Sequence, residues 1–358
     1  MPKTTLRYAI IGFGGIAENR IAKEGFARDA SRFTPLAGIE LVAAADISPA
    51  RRAAAEKMGL NWHDSPDTAI ADPSIDAVFI ASNNASHFPL GKKALEAGRH
   101  VILDKPMATR LDDARKLVEL AAARNLSLAV DHMMLHNVYN IRARDMIAAG
   151  ALGDVNDITL HMEFCYGSTP EEAAAWRCAR PSELGGPIGD VGSHCLYMAE
   201  FLTDSPVRSV AAVFTPRTLK IRAENGAFIR FETASGVTGS SRVSFNDPRG
   251  NLAGTLLNLG FEVYGTKAAL RSYGTLFQLS GHEGEPIKLR LEIQEAGAAP
   301  QAVRVGKIKN IYQQIILDHA AAVRSGCRLT GEDGLHNLAL VEAAYRSARQ
   351  GGKAITVK

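Results

Sequence analysis

Residues 6–17 read LRYAIIGFGGIA, an apolar run followed by a glycine-rich turn. The turn fits the pattern G-x-G-x-x-A, with Gly12, Gly14 and Ala17 at its small positions. The first glycine of this pattern permits a tight turn, the second lets a pyrophosphate approach the backbone, and the alanine keeps the following helix close to the strand. The helix N-terminus supplies N–H groups for the phosphates. The stretch therefore predicts a dinucleotide site, and the alternative is a tight turn that binds nothing. The predicted cofactor-binding residues of the turn are Gly12, Phe13, Gly14, Gly15, Ile16 and Ala17.

The chain up to about residue 130 alternates short apolar runs with longer helical segments. The runs lie at 6–11, 41–45, 77–81, 101–103 and 126–130. Helix candidates lie between them at 49–58, 89–97 and 111–124. Thr109 and Asp112 resemble a capping box before the last of these helices. Because apolar strands that alternate with helices are typical of a parallel sheet covered on both faces, we predict an α/β fold with a Rossmann domain over residues 1–130.

After about residue 154 the apolar pattern changes to a period of two. Along 154–166, Ile158, Leu160 and Met162 alternate with polar residues. Such alternation is typical of strands with one buried face, and hence of a mostly antiparallel sheet. Further strand candidates lie at 207–215, 227–233, 237–245, 261–264 and 287–294, and helix candidates at 311–325 and 334–349. We predict a second α/β domain over residues 131–358.

The composition argues against several classes of protein. The chain has 358 residues, enough for two domains, and its 46% apolar and 22% charged residues are typical of globular proteins. The net charge of +3 forms no basic stripe, which argues against nucleic acid as a partner. No apolar stretch approaches about 18 residues, which argues against a membrane span. We expect a cytoplasmic protein, since no CxxC pair occurs among Cys165, Cys178, Cys195 and Cys327.

The choice of cofactor depends on the end of the second predicted strand. That strand, LVAAAD, ends at Asp46, whose carboxylate can accept hydrogen bonds from the adenosine ribose and repel a 2′-phosphate, which favours NAD. Arg51 and Arg52 follow and could instead bind that phosphate, which leaves NADP open; alternatively they form a solvated first turn of helix. Gly12 and Asp46 are 34 positions apart, more than the usual separation of about 20. We expect the excess in residues 23–38, as an extended helix or a loop.

Polar side chains follow the ends of the predicted parallel strands. They are Asp46, Asn83, Asn84, His87, Asp104, Lys105, Asp131 and His132. Ligands of such sheets bind beyond the carboxyl ends of the strands, so these residues are candidates for a site. Lys105 directly follows an apolar strand and precedes Pro106, where the chain must turn. Taken alone, Lys105 is more simply read as an ordinary lysine at the end of a strand.

A second set of polar residues lies in residues 176–194, WRCARPSELGGPIGDVGSH. Asp190 and His194 are four positions apart and therefore share one face of a predicted helix. His194 falls in the first turns, where the positive helix end disfavours the imidazolium, and a general base must be a neutral imidazole. A metal site that also uses His161 is the less favoured alternative, because no third ligand is convincingly spaced. We expect no bound metal.

Together these motifs resemble the glucose-fructose oxidoreductase / inositol dehydrogenase (Gfo/Idh/MocA) family along essentially the whole chain. The motifs are GFGGIA (12–17), ASNNASH (81–87), AGRHVILDKPMA (97–108), GALGDV (150–155), the stretch 176–194 and TGEDGLHNLALVEAAYRSA (330–348). The resemblance implies a Rossmann domain followed by an α/β domain with a large, open-faced, mainly antiparallel sheet. It also implies a homodimer or homotetramer formed through that sheet.

The resemblance further implies roles for individual residues. The catalytic and substrate-binding residues would be Lys105, Asp190 and His194. The nicotinamide side of the cofactor would contact Asn84, His87 and Arg177. The same motifs add Ser82, Asn83, Asp104, Lys105 and Trp176 to the cofactor site, beside Asp46 and Arg51. The Lys105–Pro106 bond would be cis.

The chain departs from the family pattern at two places near the substrate. The usual glutamate before the lysine is Asp104, one methylene shorter. The usual arginine- and aromatic-rich stretch after the predicted strand at 126–130 reads DHMMLHN at 131–137. His87, His132 and His136 are candidate substrate contacts, of which at least one is more simply structural. Substrate identity is therefore less determined than chemistry.

The expected function is hydride transfer from a secondary alcohol of a sugar, polyol or related polyhydroxylated molecule to NAD, with NADP as the alternative. We expect His194 to remove the hydroxyl proton, Lys105 to polarise the developing alkoxide and Asp190 to orient the substrate or His194. The alternatives within enzymes are a keto-sugar reductase and a cyclic dihydrodiol dehydrogenase. From another class, the chain could be a nucleotide-sensing regulatory protein, although such a sensor need not retain an acid–base set.

Overall fold

The computed structural model describes residues 5–246, 258–276 and 289–357, which form two compact units. The first unit contains residues 5–133 and 309–338. The second contains residues 134–246, 258–276, 289–308 and 339–357. Residues 309–338, which the sequence pattern assigned to the second domain, thus pack with the first unit. The functional boundary at residue 130 stays a prediction.

The first unit is built on a sheet that, within the described residues, has six parallel strands. They are β1 (Leu6–Ile11), β2 (Ile39–Ala45), β3 (Asn61–His63), β4 (Ala77–Ile80), β5 (His100–Leu103) and β6 (Leu128–Val130). Their order across the sheet is β3-β2-β1-β4-β5-β6. The order reverses between β1 and β4, and sheets of this topology bind dinucleotides at the reversal. The predicted Rossmann sheet is confirmed.

The second unit contains a sheet of nine strands in the part of the chain that is described. They are β7 (Val155–Glu163), β8 (Val207–Phe214), β9 (Gly226–Thr233), β10 (Thr238–Ser244), β11 (Leu259–Gly265), β12 (Ala268–Tyr273), β13 (Arg290–Glu295), β14 (Gln301–Ala302) and β15 (Ile355–Thr356). Their order is β14-β13-β12-β11-β7-β10-β9-β8-β15. Strands β7 and β10 pair in parallel, and the other pairs between described strands are antiparallel. The predicted mainly antiparallel sheet is confirmed.

Helices connect and cover the strands of both units. The α-helices of the described residues are α1 (Arg52–Lys57), α2 (Pro66–Ala71), α3 (Asn84–Glu96), α4 (Leu111–Ala123), α5 (Val138–Ala148), α6 (Pro170–Ala174), α7 (Trp176–Ala179), α8 (Ser193–Thr203), α9 (Ile311–Ser325) and α10 (Glu332–Arg349). Segments Ala17–Gly25 and Ile188–Gly192 are π-helical. Within the described ranges, no helix has both the length and the apolar character that crossing a membrane requires.

The strands of the two units differ in burial as their sequence patterns predicted. All four residues of β4 are buried, as expected for a parallel strand covered on both faces. Along β9, buried Ile229 and Phe231 alternate with exposed Phe228 and Arg230. Only one face of the second sheet is therefore buried at this strand.

The capping box predicted at Thr109 and Asp112 is wrong. α4 begins after Arg110, which makes no side-chain capping hydrogen bond, so Thr109 lies one residue too early to cap the helix. A capping box does form at the start of α6, where the backbone N–H of Glu172 donates to Thr169 Oγ1 at 3.2 Å.

Several elements also differ from prediction in their extent. α3 begins at Asn84 rather than at residue 89, because Pro89 follows the first turn and its missing N–H removes a single helical bond. The excess length before Asp46 is mainly a loop, since turns follow the π-helical segment up to β2. Of the strand predicted at 287–294, residues 287 and 288 lie outside the described residues, and β13 covers most of the rest.

We predict that Gly239→Ala lowers the free energy of unfolding by about 1–3 kcal/mol, the usual cost of overpacking. A Cβ atom on Gly239 would lie 2.6 Å from the carbonyl oxygen of Ile158 on β7 and 2.4 Å from Phe231 Cζ. Gly306→Ala is the control, because a Cβ atom there would meet no atom of the described residues within 4 Å. Chemical denaturation measures both variants, and equal midpoints for the two would contradict the prediction.

Candidate functional site

The glycine-rich turn after β1 packs directly against the end of β4. Gly12 has a φ of +88°, a conformation that glycine adopts without strain. Its N–H donates to the carbonyl of Ala45 at 2.8 Å. A Cβ atom on Gly12 would lie 2.7 Å from Ser82 Cα, closer than real Cβ contacts. Both the backbone conformation and the lack of space therefore require glycine at this position.

The next two glycines of the turn have a different environment. Gly14 and Gly15 are exposed, and a Cβ atom on either would meet no described protein atom within 4 Å. Packing against the protein therefore does not explain why these positions are glycine. Close approach of a ligand to the backbone does explain it, as the fingerprint predicts. The turn thus fits the pyrophosphate of a dinucleotide.

Asp46, at the end of β2, holds the turn in place. Its Oδ2 atom accepts a hydrogen bond from the backbone N–H of Phe13 at 2.6 Å, and Oδ1 accepts one from Ser48 N at 2.8 Å. A carboxylate can accept about four hydrogen bonds, so Asp46 retains capacity for ribose hydroxyls. Phe13 contributes its backbone to this site, because its side chain is fully buried.

Arg51 also binds the glycine-rich turn. Its Nε–H donates to the carbonyl oxygen of Phe13 at 2.6 Å, and its guanidinium pairs with Glu18 in the following helical segment. Lys23 donates to Glu18 as well and, together with Arg51, holds the pKa of that carboxyl below its usual range. Arg51 therefore already has two partners in the protein. The sequence alone did not reveal these contacts.

Ile47 is a further candidate that sequence analysis missed. It directly follows Asp46 and is 88% exposed, an unusual position for a large apolar side chain. Exposed apolar surface beside the Asp46 carboxylate suits the face of an adenine ring. An apolar residue directly after the strand-end acid was the signal in the sequence.

His87 connects the ends of β4 and β5. It is fully buried in α3, and its Nδ1 lies 2.7 Å from the carbonyl oxygen of Pro106. Its Nε2 lies 3.1 Å from the carbonyl oxygen of Ser82. The Lys105–Pro106 bond is cis, as predicted. These contacts make His87 a positioning residue for the segment that carries Lys105, whereas its predicted cofactor contact stays a prediction.

Asp104 and Lys105 are half-buried at the end of β5, next to a buried carboxyl group from β6. That group belongs to Asp131, which is 1% exposed and whose N–H donates to the carbonyl of Leu103 at 2.7 Å. Burial raises the pKa of Asp131 well above its usual range; the nearby Asp104 carboxylate adds to this rise and the Lys105 ammonium opposes it. Asp131 is therefore part of the electrostatic environment of Lys105.

Three other predicted residues of the first unit have clear positions. Asn83 precedes α3 as its N-cap residue, and Asn84 is buried in the first turn of that helix. His132 is 3% exposed, and its Nδ1 lies 3.2 Å from Asp333 Oδ2. The imidazole of His132 is thus held within the first unit, and its substrate contact stays a prediction.

In the second unit, the structure brings Asp190 and Arg177 together. Arg177 Nε–H donates to Asp190 Oδ2 at 3.0 Å, and Arg177 also stacks on the ring of Trp176 at 4.7 Å. Asp190 is 6% exposed and lies in the π-helical segment before α8, and such irregular segments are frequent at functional sites. The charge-assisted bond fixes the orientation of a nearly buried carboxylate.

His194 lies in the first turn of α8 and is 4% exposed. Its Nδ1 is 2.7 Å from the hydroxyl oxygen of Tyr197, one helical turn later. A partner on one ring nitrogen fixes the orientation of the imidazole. The sequence analysis did not identify Tyr197 as a partner of His194.

Comparison with known proteins identifies the family. Residues 6–132 match the GFO_IDH_MocA profile, described as "Oxidoreductase family, NAD-binding Rossmann fold". Residues 141–271 match the profile described as "GFO/IDH/MocA C-terminal domain". The two matches together span most of the chain.

Related proteins and a solved structure agree with these matches. A dTDP-3,4-didehydro-2,6-dideoxy-alpha-D-glucose 3-reductase from Streptomyces violaceoruber is 28% identical, over 92% of this chain and 89% of the relative. A 1,5-anhydro-D-fructose reductase from Ensifer adhaerens is 28% identical, over 80% of this chain and 81% of the relative. The crystal structure of an aldose-aldose oxidoreductase from Caulobacter crescentus, complexed with glycerol, has the same fold, with a TM-score of 0.82 at 23% identity over 99% of this chain and 100% of that one. The chain belongs to the Gfo/Idh/MocA family of oxidoreductases, with an NAD-binding Rossmann fold at its N-terminus.

Proposed function

We propose that the chain is an NAD-dependent dehydrogenase that oxidises a secondary alcohol of a sugar, polyol or related polyhydroxylated molecule. The observation that carries the proposal is a chain of contacts within the first unit. The glycine-rich turn packs on Ser82, and His87 connects Ser82 with the cis peptide after Lys105. A lysine at the end of β5 is thereby fixed close to the turn that binds the cofactor pyrophosphate.

The proposal favours NAD over NADP because of the groups around Asp46. The Asp46 carboxylate lies where it can accept the ribose hydroxyls, and its charge repels a 2′-phosphate. Arg51 already binds Phe13 and Glu18, and Arg52 pairs with Glu56 at 3.2 Å. A 2′-phosphate would have to compete with these partners for either guanidinium.

The chemistry divides between the cofactor and the side chains. Bound nicotinamide supplies the hydride acceptor. We propose that His194 Nε2 removes the hydroxyl proton, that Lys105 stabilises the developing alkoxide and that Asp190, oriented by Arg177, positions the substrate. Proton transfer by a positioned base contributes about 10²–10⁴-fold to the rate. Electrostatic stabilisation by a fixed cation adds to this, because it acts on charge that develops during the reaction.

The reverse direction is the second candidate, and a specific finding favours it. The two related proteins described above, which align over most of this chain, are both named as reductases of keto-sugars or related compounds. The same side chains serve reduction, with His194 donating the proton to the forming alkoxide. Assays in both directions separate the candidates by the ratio of kcat/KM values.

The proposal includes a homodimer or homotetramer in the cytoplasm. Val213, Phe214 and Phe228 lie on β8 and β9 and are 47%, 41% and 47% exposed. Val213 and Phe228 are cross-strand partners and share one face of the sheet, whereas Phe214, the next residue on β8, points to the other face. Exposed apolar side chains paired on one sheet face are typical of a surface that a second subunit covers. The described cysteines are free thiols, which agrees with a reducing compartment. Light scattering of the purified protein tests the assembly.

We predict that Lys105→Met lowers kcat/KM by at least about 10²-fold, because it removes the cation that stabilises the alkoxide. NAD binding, measured by titration, stays within a few-fold of that of the unchanged protein. Lys116→Met is the control, since Lys116 is 60% exposed on α4. Absorbance of reduced nicotinamide during a screen of sugars and polyols provides the measurement. Unchanged rates in Lys105→Met would refute the role of Lys105.

We predict that Asp46→Asn weakens NAD binding about 10- to 100-fold, the cost of losing hydrogen bonds to a charged group. The same change removes the charge that repels a 2′-phosphate, so the ratio of the NADP and NAD dissociation constants falls. Asp64→Asn is the control, because Asp64 directly follows β3, the neighbour of β2 in the sheet, and its side chain is 76% exposed. Fluorescence titration with both nucleotides measures the effect. An equal loss of affinity for NAD and NADP would contradict the assignment.

A further inference from the structure

A cavity of about 170 Å³ lies within the second unit, beside the loop from β8 to β9 and the end of α10. Its lining includes Thr215, Arg217, Arg222, Glu224, Asn225 and Arg349. None of the roles proposed above uses these residues. The family fold alone gives no reason for three arginines around one cavity.

The charges around the cavity are mainly positive. Arg217, Arg222 and Arg349 contribute guanidinium groups, and Glu224 is the one acidic residue in the described lining. Glu224 is 9% exposed, and burial raises the pKa of its carboxyl group. Its Oε1 atom accepts the N–H of Ile188 at 2.9 Å. The cavity therefore carries more positive than negative charge.

Two buried polar atoms in the wall lack a protein partner. Asn225 is fully buried, and its Oδ1 accepts the backbone N–H groups of Thr218 at 2.6 Å and Leu219 at 2.7 Å. These bonds fix the amide orientation, so that Nδ2 is a donor, and this donor has no partner among the described residues. The hydroxyl of Thr215 is likewise buried without one. Unsatisfied buried donors are costly, and a ligand oxygen would satisfy both.

We propose that this cavity binds a phosphoryl group, as free phosphate or as part of a small phosphorylated metabolite. Guanidinium groups bind phosphate oxygens through paired, charge-assisted hydrogen bonds. Three of them, with an amide and a hydroxyl donor, match a tetrahedral dianion with several acceptor oxygens. A cavity of about 170 Å³ admits a phosphoryl group and a small attached fragment.

The same cavity is connected to the segment that carries Asp190. Glu224 accepts hydrogen bonds from Ile188, the first residue of that segment, and from the hydroxyl of Tyr345 at 3.0 Å. The Tyr345 hydroxyl oxygen also accepts the N–H of Gly189 at 3.2 Å. An anion bound by the arginines beside Glu224 therefore changes the position of Asp190 through these hydrogen bonds. This regulatory part rests on the proposed function, whereas the binding part does not.

Calorimetric titration of the NAD-saturated protein with inorganic phosphate tests the binding, at constant ionic strength set by sodium chloride. NAD fills the glycine-rich turn and removes it as a competing phosphate site. Arg222→Gln and Arg349→Gln should each weaken binding at least tenfold, an order-of-magnitude loss typical of a charged hydrogen bond. Arg346→Gln, on the same helix but outside the cavity lining, keeps the original affinity. Absence of binding, or equal affinity in all three variants, overturns the proposal.

Glucose 6-phosphate as a second titrant distinguishes the two sources of the phosphoryl group. Tighter binding than phosphate, lost in the same two variants, identifies a phosphorylated metabolite; equal or weaker binding identifies free phosphate. Hydrogen exchange tests the connection to Asp190 without an activity assay. Phosphate should slow exchange of the amides at 186–192 in the unchanged protein and not in Arg349→Gln. Binding without this protection overturns the regulatory part, and neither result depends on whether Lys105 and His194 catalyse hydride transfer.

Discussion

The bond between the Asp46 carboxylate and the backbone N–H of Phe13 is the interaction on which the cofactor end depends. It joins the glycine-rich turn to the end of β2, while Gly12 presses the same turn against Ser82 on the β4 side. The turn is therefore held from both neighbouring strands. A pyrophosphate site needs N–H groups that are in place before the ligand arrives, since ordering them on binding would cost affinity. A rigid turn meets that requirement.

In the second unit, charged side chains hold the Asp190 carboxylate in a fixed orientation. Asp190 lies in a π-helical segment, whose irregular backbone would otherwise leave the carboxylate loosely oriented. Arg177 fixes one of its oxygens, and the network of Glu224 and Tyr345 holds the start of the segment. Buried polar groups are stable only when such partners exist. The positions of the groups proposed for catalysis thus follow from residues that need not touch the substrate.

The sequence predicted those features that depend on local patterns. Apolar runs located five of the six described strands of the Rossmann sheet, and a period of two located most described strands of the second sheet, because the burial of one or both faces determines the apolar pattern of each strand. The strand β3 was missed, since its three residues, Asn61–His63, include none that is buried. The cap of α4 was misplaced, since a one-residue shift of a helix start cannot be read from Thr109 and Asp112 alone. The roles of Arg51 and Asp131 depend on contacts between chain-distant segments, which spacing does not encode. For the same reason, sequence alone could not find the arginine-lined cavity.

The two departures of this chain from the family pattern both lie near Lys105. Asp104 is a methylene shorter than the usual glutamate, and Asp131 opens the stretch that differs after β6. Register places Leu103 beside Val130, so the two acids follow at neighbouring strand ends. Both carboxyl groups lie near the same ammonium, and burial raises the pKa of Asp131 well above its usual range, while the Asp104 carboxylate adds to this rise and the Lys105 ammonium opposes it. The two substitutions therefore have to be considered as a pair, because each changes the electrostatic effect of the other on the lysine.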